Sequence, residues 1–198
     1  MGLDIAYISG QTPLDEDEKE GLLIPTITTR QELDEFEQQN VEEAFQWLMS
    51  RSFKPGSVFS EKFIRDVHKR MFGSVWRWAG SFRKSQKNIG VDYWMISQEL
   101  NKLLADAKLW FDQKIYEPDE LAVRFKHRLV SIHCFSNGNG RHSRLMADII
   151  VEKLYDLAPF SWGAEDLNKK GDTRTAYLKA LKEADQDSYK RLISFSRT

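Results

Sequence analysis

His133-Cys134-Phe135-Ser136-Asn137-Gly138-Asn139-Gly140-Arg141-His142-Ser143-Arg144 packs a histidine, a glycine-asparagine-glycine turn and two arginines into twelve residues. A stretch with apolar residues at helical spacing precedes it, and Leu145-Met146-Ala147-Asp148-Ile149-Ile150-Val151 follows. The spacing predicts helix, short loop, helix. The loop opens the second helix, where unpaired backbone N–H groups and the positive end of the helix dipole collect anions. Gly138 and Gly140 carry no side chains that would hold a phosphate away from those N–H groups. Arg141 and Arg144, three apart, share one face of the first helical turn, and their planar guanidinium groups suit phosphate oxygens. His133, at the end of the preceding helix, is placed to take a proton near neutral pH. A phosphate cradle beside a base implies chemistry on a nucleotide.

These residues resemble the signature of the Fic family, H-x-F-x-[DE]-G-N-G-R-x-x-R. The chain supplies His133, Phe135, Gly138, Asn139, Gly140, Arg141 and Arg144. Seven fixed positions at ~5% each coincide by chance roughly once in a billion starts, so the motif is far more specific than a lone glycine pattern. The resemblance continues in Trp78-Ala79-Gly80-Ser81-Phe82-Arg83, similar to the family's W-A-G-x-[YF]-R segment. It continues also in Asn88, Ile89, Gly90 and Val91, similar to its β-hairpin flap, and in Tyr177 with Ala184-Asp185, similar to the late helix of its adenine pocket. Thr12-Pro13-Leu14-Asp15 and Thr29-Arg30-Gln31-Glu32-Leu33 resemble a subgroup called mobile mystery protein B.

The chain has 198 residues, 41% of them hydrophobic and 12% aromatic, enough for the core of one domain. A single cysteine, Cys134, excludes an internal disulfide and fits a reducing, cytoplasmic setting. No apolar run reaches membrane-spanning length and no secretory pattern opens the chain, so no membrane role is expected. The net charge of −1 hides an asymmetry. Residues 1–43 hold twelve acids against Lys19 and Arg30, and the remainder holds 18 acids against 27 bases. The acidic segment reads either as a solvated arm or as an arm lying across a basic site until a ligand displaces it. The six tryptophans, spread at helical spacing, are expected in the core, and no Lys/Arg run supports nucleic-acid binding.

The expected fold is all-α: an extended acidic arm over residues 1–30, then a helical bundle over 31–198 with one short β-hairpin flap. A helix from Gln31 to Ser50 carries Leu33, Phe36, Val41, Ala44, Trp47 and Leu48 on its apolar face. Ser60 caps a helix containing Phe63, Ile64, Val67 and Met71, and Ser97 is expected to cap another with Leu100, Leu103, Leu104, Ala107 and Trp110. Phe82 to Met95 gives the hairpin signal around Gly90. Pro118 suits a first helical position, and the helix it opens ends beside His133. Gly163 to Gly171 reads as a loop, and Thr173 opens a last helix that breaks near Asp187.

His68, His127 and His142 are expected in surface or core roles, and Phe135 as an apolar anchor for the loop. Asn139 either satisfies a turn or, as the resemblance implies, serves an anion pocket. The resemblance implies a protein adenylyltransferase: ATP phosphates on Gly138 to Arg144, His133 as general base toward a Ser, Thr or Tyr hydroxyl of a target protein, Tyr177 and Asp185 on the adenine side, and the flap docking the target. Two departures stand out. Cys134 occupies a position where proline is common. Asn137 occupies the position of the carboxylate that helps hold Mg²⁺, and an amide oxygen can ligate Mg²⁺ only without that charge. Alternatives are another transferase of the same fold, against whose phosphotransferase branch Gly140 argues because that branch carries lysine there, or a non-catalytic nucleotide-binding or toxin–antitoxin module. No [ST]-x-x-x-E-[GN] inhibitory motif is found, so a small inhibitory partner in trans is expected.

Overall fold

A computed structural model describes residues 13–163 and 171–198. Residues 1–12 of the arm expected over 1–30, and most of the loop between Gly163 and Gly171, lie outside the described residues. Nine helices are present among those described: α1 (Glu16–Lys19), α2 (Arg30–Met49), α3 (Pro55–Val58), α4 (Glu61–Phe72), α5 (Ile96–Asp112), α6 (Pro118–Ile132), α7 (Asn139–Tyr155), α8 (Asp172–Ala184) and α9 (Lys190–Ser196). The all-α reading holds. No described helix is long and apolar enough to cross a membrane.

The centre of the bundle is the α6–α7 pair. Met146, Ala147, Ile149, Ile150 and Val151 on α7 are fully buried, so apolar side chains leave this helix in nearly every direction, as a central helix requires. On α6, Leu121, Ala122, Val123 and Phe125 are fully buried against it. The loop joining the two is short, which returns the chain along its own path and leaves the start of α7 at one end of the bundle. α2 and α4 pack on α7, α5 and α9 pack on α6, and α8 packs on α9.

Local signals account for several helix starts. The Ser60 hydroxyl accepts the Phe63 amide at 3.2 Å, and Pro118 takes the first position of α6. Thr29 and Glu32 form a reciprocal capping box that starts α2. Ser97 caps nothing: a 3-10 turn at Tyr93–Met95 runs directly into α5, which begins at Ile96 with Met95 in the cap position.

Three expectations are corrected. The inward stripe of α2 is Leu33, Glu37, Asn40, Ala44 and Leu48, whereas Phe36 is exposed. The two polar members sit inside because they find partners there, Asn40 on Ser74 and Glu37 on Trp76 and Arg141. Trp94 is 65% exposed and so leaves the expected core set. The segment expected as a hairpin has no strand. Residues 84–92 run as loop and bends because their backbone is tied to Arg83 and to the end of α6 instead of to a partner strand.

The described part of the N-terminal segment packs on the body. It carries the single turn α1 and one isolated antiparallel bridge, Leu22 to Trp76, flanked by Leu23 N–H to Val75 O at 2.8 Å and Arg77 N–H to Gly21 O at 2.8 Å. The buried Lys87 ammonium pairs with Asp15 at 2.9 Å and Glu18 at 2.5 Å. Asp15 and Glu18 of this stretch thus meet Lys87, and Glu16 meets Lys19.

Candidate active site

The twelve-residue motif lies where α6 ends and α7 begins. His133 caps α6 in the left-handed region at φ 58° and is 5% exposed. Phe135 is fully buried and stacks on His68 at 3.7 Å between ring centroids. Asn139 closes the loop with its side chain: Oδ1 accepts the Phe135 amide at 3.0 Å and Nδ2 donates to the Phe135 carbonyl at 2.7 Å. Its amide oxygen is committed to that turn, so the N–H at the helix start is what it offers an anion. Gly138 has φ 75°, and a Cβ there would stand 2.5 Å from the Phe72 ring, so glycine is required on two counts. A Cβ on Gly140 would meet only Arg144, at 3.8 Å, so this glycine keeps the approach to the helix start open. The α7 ladder begins with His142 N–H to Gly138 O at 2.9 Å, which places the amides of Asn139, Gly140 and Arg141 ahead of it.

A cavity of about 540 Å³ opens over this helix start. His133, Asn137, Gly138, Asn139, Gly140, Arg141 and Arg144 line it on one side, Ile89 and Gly90 on another, and Tyr177 and Asp185 of the α8 region on a third. The structure thus brings the motif, two of the four flap residues and both adenine-side candidates to one place. Asn88 and Val91 are not among the lining residues.

Arg83 ties the loop of residues 85–91 to His133. Its Nε donates to the His133 carbonyl at 2.7 Å, its backbone N–H to the Cys134 carbonyl at 2.9 Å, and its guanidinium to the carbonyls of Ser85 and Val91. Gly90 follows at φ 99°, where a Cβ would meet His133 Cβ at 2.5 Å. Burial, and then the Arg83 charge, hold the His133 imidazole down at about 4. At neutral pH it is therefore in the deprotonated form a base needs. The Cys134 thiol is pushed up to about 12 by burial and stays protonated.

Four contributors were not legible in the sequence. His68 is fully buried; Gly80 N–H donates to its Nδ1 at 3.0 Å, so its Nε2–H donates to the Asn137 carbonyl at 3.0 Å and props the glycine turn. His127, expected in a surface or core role, lines the cavity: its Nε2–H donates to Asp185 at 2.8 Å and its Nδ1 accepts from the Tyr189 hydroxyl at 3.2 Å. Glu37 reaches Arg141, as described below. Arg174, in the first turn of α8, joins the cavity wall. No spacing rule links these positions to the motif; only the packing of α2 and α4 on α7, and of α8 through α9 on α6, does.

All four histidines are held below their ordinary range, chiefly by burial, His142 at about 3 and His133 at about 4. An unfolded histidine takes up a proton near 6.5, so stability present above that pH is lost as pH falls, by about 1.4 kcal/mol per unit and per group. Asp148, pushed up to about 7 by burial, acts in the opposite sense over the same range because it protonates in the folded state first. With His133 and His142 alone against that one carboxyl, the balance from pH 6.5 to 5 is a loss of about 1.5 kcal/mol, and His68 and His127 add to it in the same direction. We expect Tm to fall by at least about 4 °C over that interval in a thermal melt; a flat Tm would contradict this burial of neutral imidazoles.

A histidine held neutral thus stands beside an open helix N-terminus and two arginines on an all-α scaffold, an arrangement suited to a phosphorylated ligand. Residues 58–151 match the family model of the Fic/DOC family. It is 27% identical over 155 residues to the protein adenylyltransferase Fic of Aedes aegypti, covering 76% of this chain and 30% of that protein. It is also 27% identical over 115 residues to the protein adenylyltransferase Fic of Nematostella vectensis, covering 56% and 27%. The chain thus spans about a third of the length of the curated relatives it matches. In fold it is similar to Fic-1 of C. elegans, with TM-score 0.66, 22% identity, and coverage of 90% of this chain and 51% of that one. BepC of Bartonella tribocorum, solved with bound AMPPNP, gives TM-score 0.68 at 16% identity over 92% and 97% of the two chains.

Proposed function

We propose that the chain is a protein adenylyltransferase that moves AMP from ATP to a Ser, Thr or Tyr hydroxyl of a target protein, with His133 as general base. The observation that carries this reading is a single cavity lined by the neutral His133, the glycine-turn helix start and both motif arginines. ATP phosphates lie on the amides ahead of the α7 ladder, toward Arg141 and Arg144, and the base lies toward Tyr177 and Asp185. The target hydroxyl gives its proton to the His133 imidazole as its oxygen bonds to the α-phosphorus. The bond from that phosphorus to the bridging oxygen breaks, and pyrophosphate leaves. Such a reaction is mainly positioning and charge stabilisation. The loop Asn88–Val91, whose Ile89 side chain is exposed beside the cavity, docks the target segment. The single cysteine, Cys134, supports a reducing, cytoplasmic setting. Arg144 pairs with no carboxylate among the described residues, which leaves it to the nucleotide or to the acid of an inhibitory partner, as in a toxin–antitoxin pair.

The residues do not fit a protein-built Mg²⁺ site. Asn137 Oδ1 accepts the Gly138 amide at 2.6 Å, and no group of three potential ligands gathers among the described residues. A Mg²⁺ ion would then be carried by the nucleotide phosphates. Asn137→Asp tests this position: one carboxylate oxygen keeps the Gly138 contact and the other is available to a cation. Unit charges ~4 Å apart interact by about 4 kcal/mol at an effective dielectric near 20, before desolvation. A third of that tightens Mg²⁺ binding about tenfold, and the Mg²⁺ midpoint for transfer should drop accordingly. An unchanged midpoint with weaker ATP binding would remove the metal role of position 137 and favour a non-catalytic nucleotide-binding module.

Incubation of the chain and a cell extract with α-labelled or γ-labelled ATP tests the function itself. Protein-bound α-label supports adenylylation, γ-label means phosphorylation, and neither means a binding module.

A further inference from the structure

The two motif arginines are three residues apart, yet their surroundings differ. Arg144 lies near the Tyr177 ring, 5.8 Å from its centroid, with no carboxylate partner among the described residues. The Arg141 guanidinium is gripped: Nη2 donates to Glu37 Oε2 at 2.6 Å, and the group lies over the Phe72 ring at 4.7 Å. Glu37 is itself held. It is 4% exposed, and its other oxygen accepts Trp76 Nε1 at 2.6 Å; the Trp76 ring in turn is buried and stacks on Trp78. Arg141 lines the cavity and Glu37 does not, so the carboxylate touches the arginine and not the ligand.

We infer that Glu37 is a positioning residue that aims Arg141 at the phosphate chain and thereby sets which phosphorus faces His133. The inference rests on the adenylyl-transfer reading for its consequence in catalysis, but not for the pairing itself. A buried ion pair adds little net stability over apolar side chains of the same volume. What it does supply is direction, because a guanidinium tied at one nitrogen keeps its remaining N–H groups in a fixed plane. The pair is also close to neutral, so Arg141 contributes little to raw nucleotide affinity and much to register. Arg144 then supplies the affinity.

Glu37→Gln keeps an acceptor for Trp76 and removes the charge that holds Arg141. We expect kcat for transfer to fall about tenfold, within the range that a small misplacement of a reactant costs, while KM for ATP stays within about twofold. The same substitution made on Arg141→Ala should cost nothing further, since Glu37 acts through that residue. In ¹⁵N relaxation measurements the Arg141 Nε–H group should be rigid in the wild type and mobile in Glu37→Gln. Faster turnover would mean that Glu37 competes with phosphate for Arg141. A rise in KM alone, an equal loss on the Arg141→Ala background, or an Arg141 signal that stays rigid would each overturn the proposal. Should Glu37→Gln fail to fold, Arg141→Lys keeps the charge and loses the fork, and an unchanged kcat in that variant is equally fatal. If the wild type transfers no label, the functional reading falls and the relaxation experiment still decides whether Glu37 orders Arg141.

Discussion

His133→Ala is expected to lower AMP transfer by ~10²–10⁴, the usual worth of a positioned general base, while ATP affinity stays within a few-fold. The two effects separate because His133 caps α6 whereas the proposed phosphate contacts come from the start of α7. The imidazole is neutral across the physiological range, since burial and Arg83 hold it at about 4. Bound nucleotide phosphates bring negative charge to the same cavity and make the imidazole a stronger base in the complex. Position matters as much as basicity. Gly90 leaves room for His133 Cβ, and Arg83 ties the His133 carbonyl to the flap. Truncation to alanine leaves the backbone part of this arrangement, and the left-handed φ of 58° remains a demand on residue 133 in either case. The measurement is transfer of α-label by the purified variant alongside ATP binding by calorimetry. Retained transfer would remove His133 from the mechanism, and loss of ATP binding would make it a structural residue.

Arg144→Ala should weaken ATP binding by about 1.5–3 kcal/mol, as for a lost hydrogen bond to a charged group. That corresponds to roughly 10- to 150-fold in Kd. AMP binding should change much less, because AMP lacks the terminal phosphates assigned to this arginine. The environment of Arg144 supports a role in affinity: the side chain lines the cavity and is not neutralised by a carboxylate among the described residues. Arg141, paired to Glu37, should show the smaller loss of ATP affinity when truncated, and the larger loss of turnover. Equal losses for ATP and AMP would refute the assignment of Arg144 to the terminal phosphates.

Beyond these tests, the residues divide by how far apart in the chain their partners lie. The helix–loop–helix around Gly138 was legible because its signals are local. A left-handed glycine, an open helix start and an arginine pair at three-residue spacing all act within one turn. Ser60 and Pro118 likewise announce helix starts through contacts within their own first turns. The Fic resemblance adds roles for Tyr177 and Asp185, and both line the cavity.

Tertiary structure alone decided the rest. Glu37 reads as a solvated acid on a polar face, and becomes a buried ligand of Arg141 only because α2 packs on α7 across a separation of 104 residues. His68 supports the Asn137 carbonyl from 69 residues away. The hairpin signal between Phe82 and Met95 reports β-branched and aromatic side chains correctly, but strand formation needs a partner ladder, and Arg83 and the end of α6 take those backbone groups first. Sequence by itself determined an all-helical chain with a phosphate-binding turn after a histidine, since short-range backbone geometry and side-chain type suffice for that. Which face of α2 turns inward, which arginine is held, and how the base is kept neutral were decided by packing, because burial and pairing of charges depend on neighbours that no local pattern specifies.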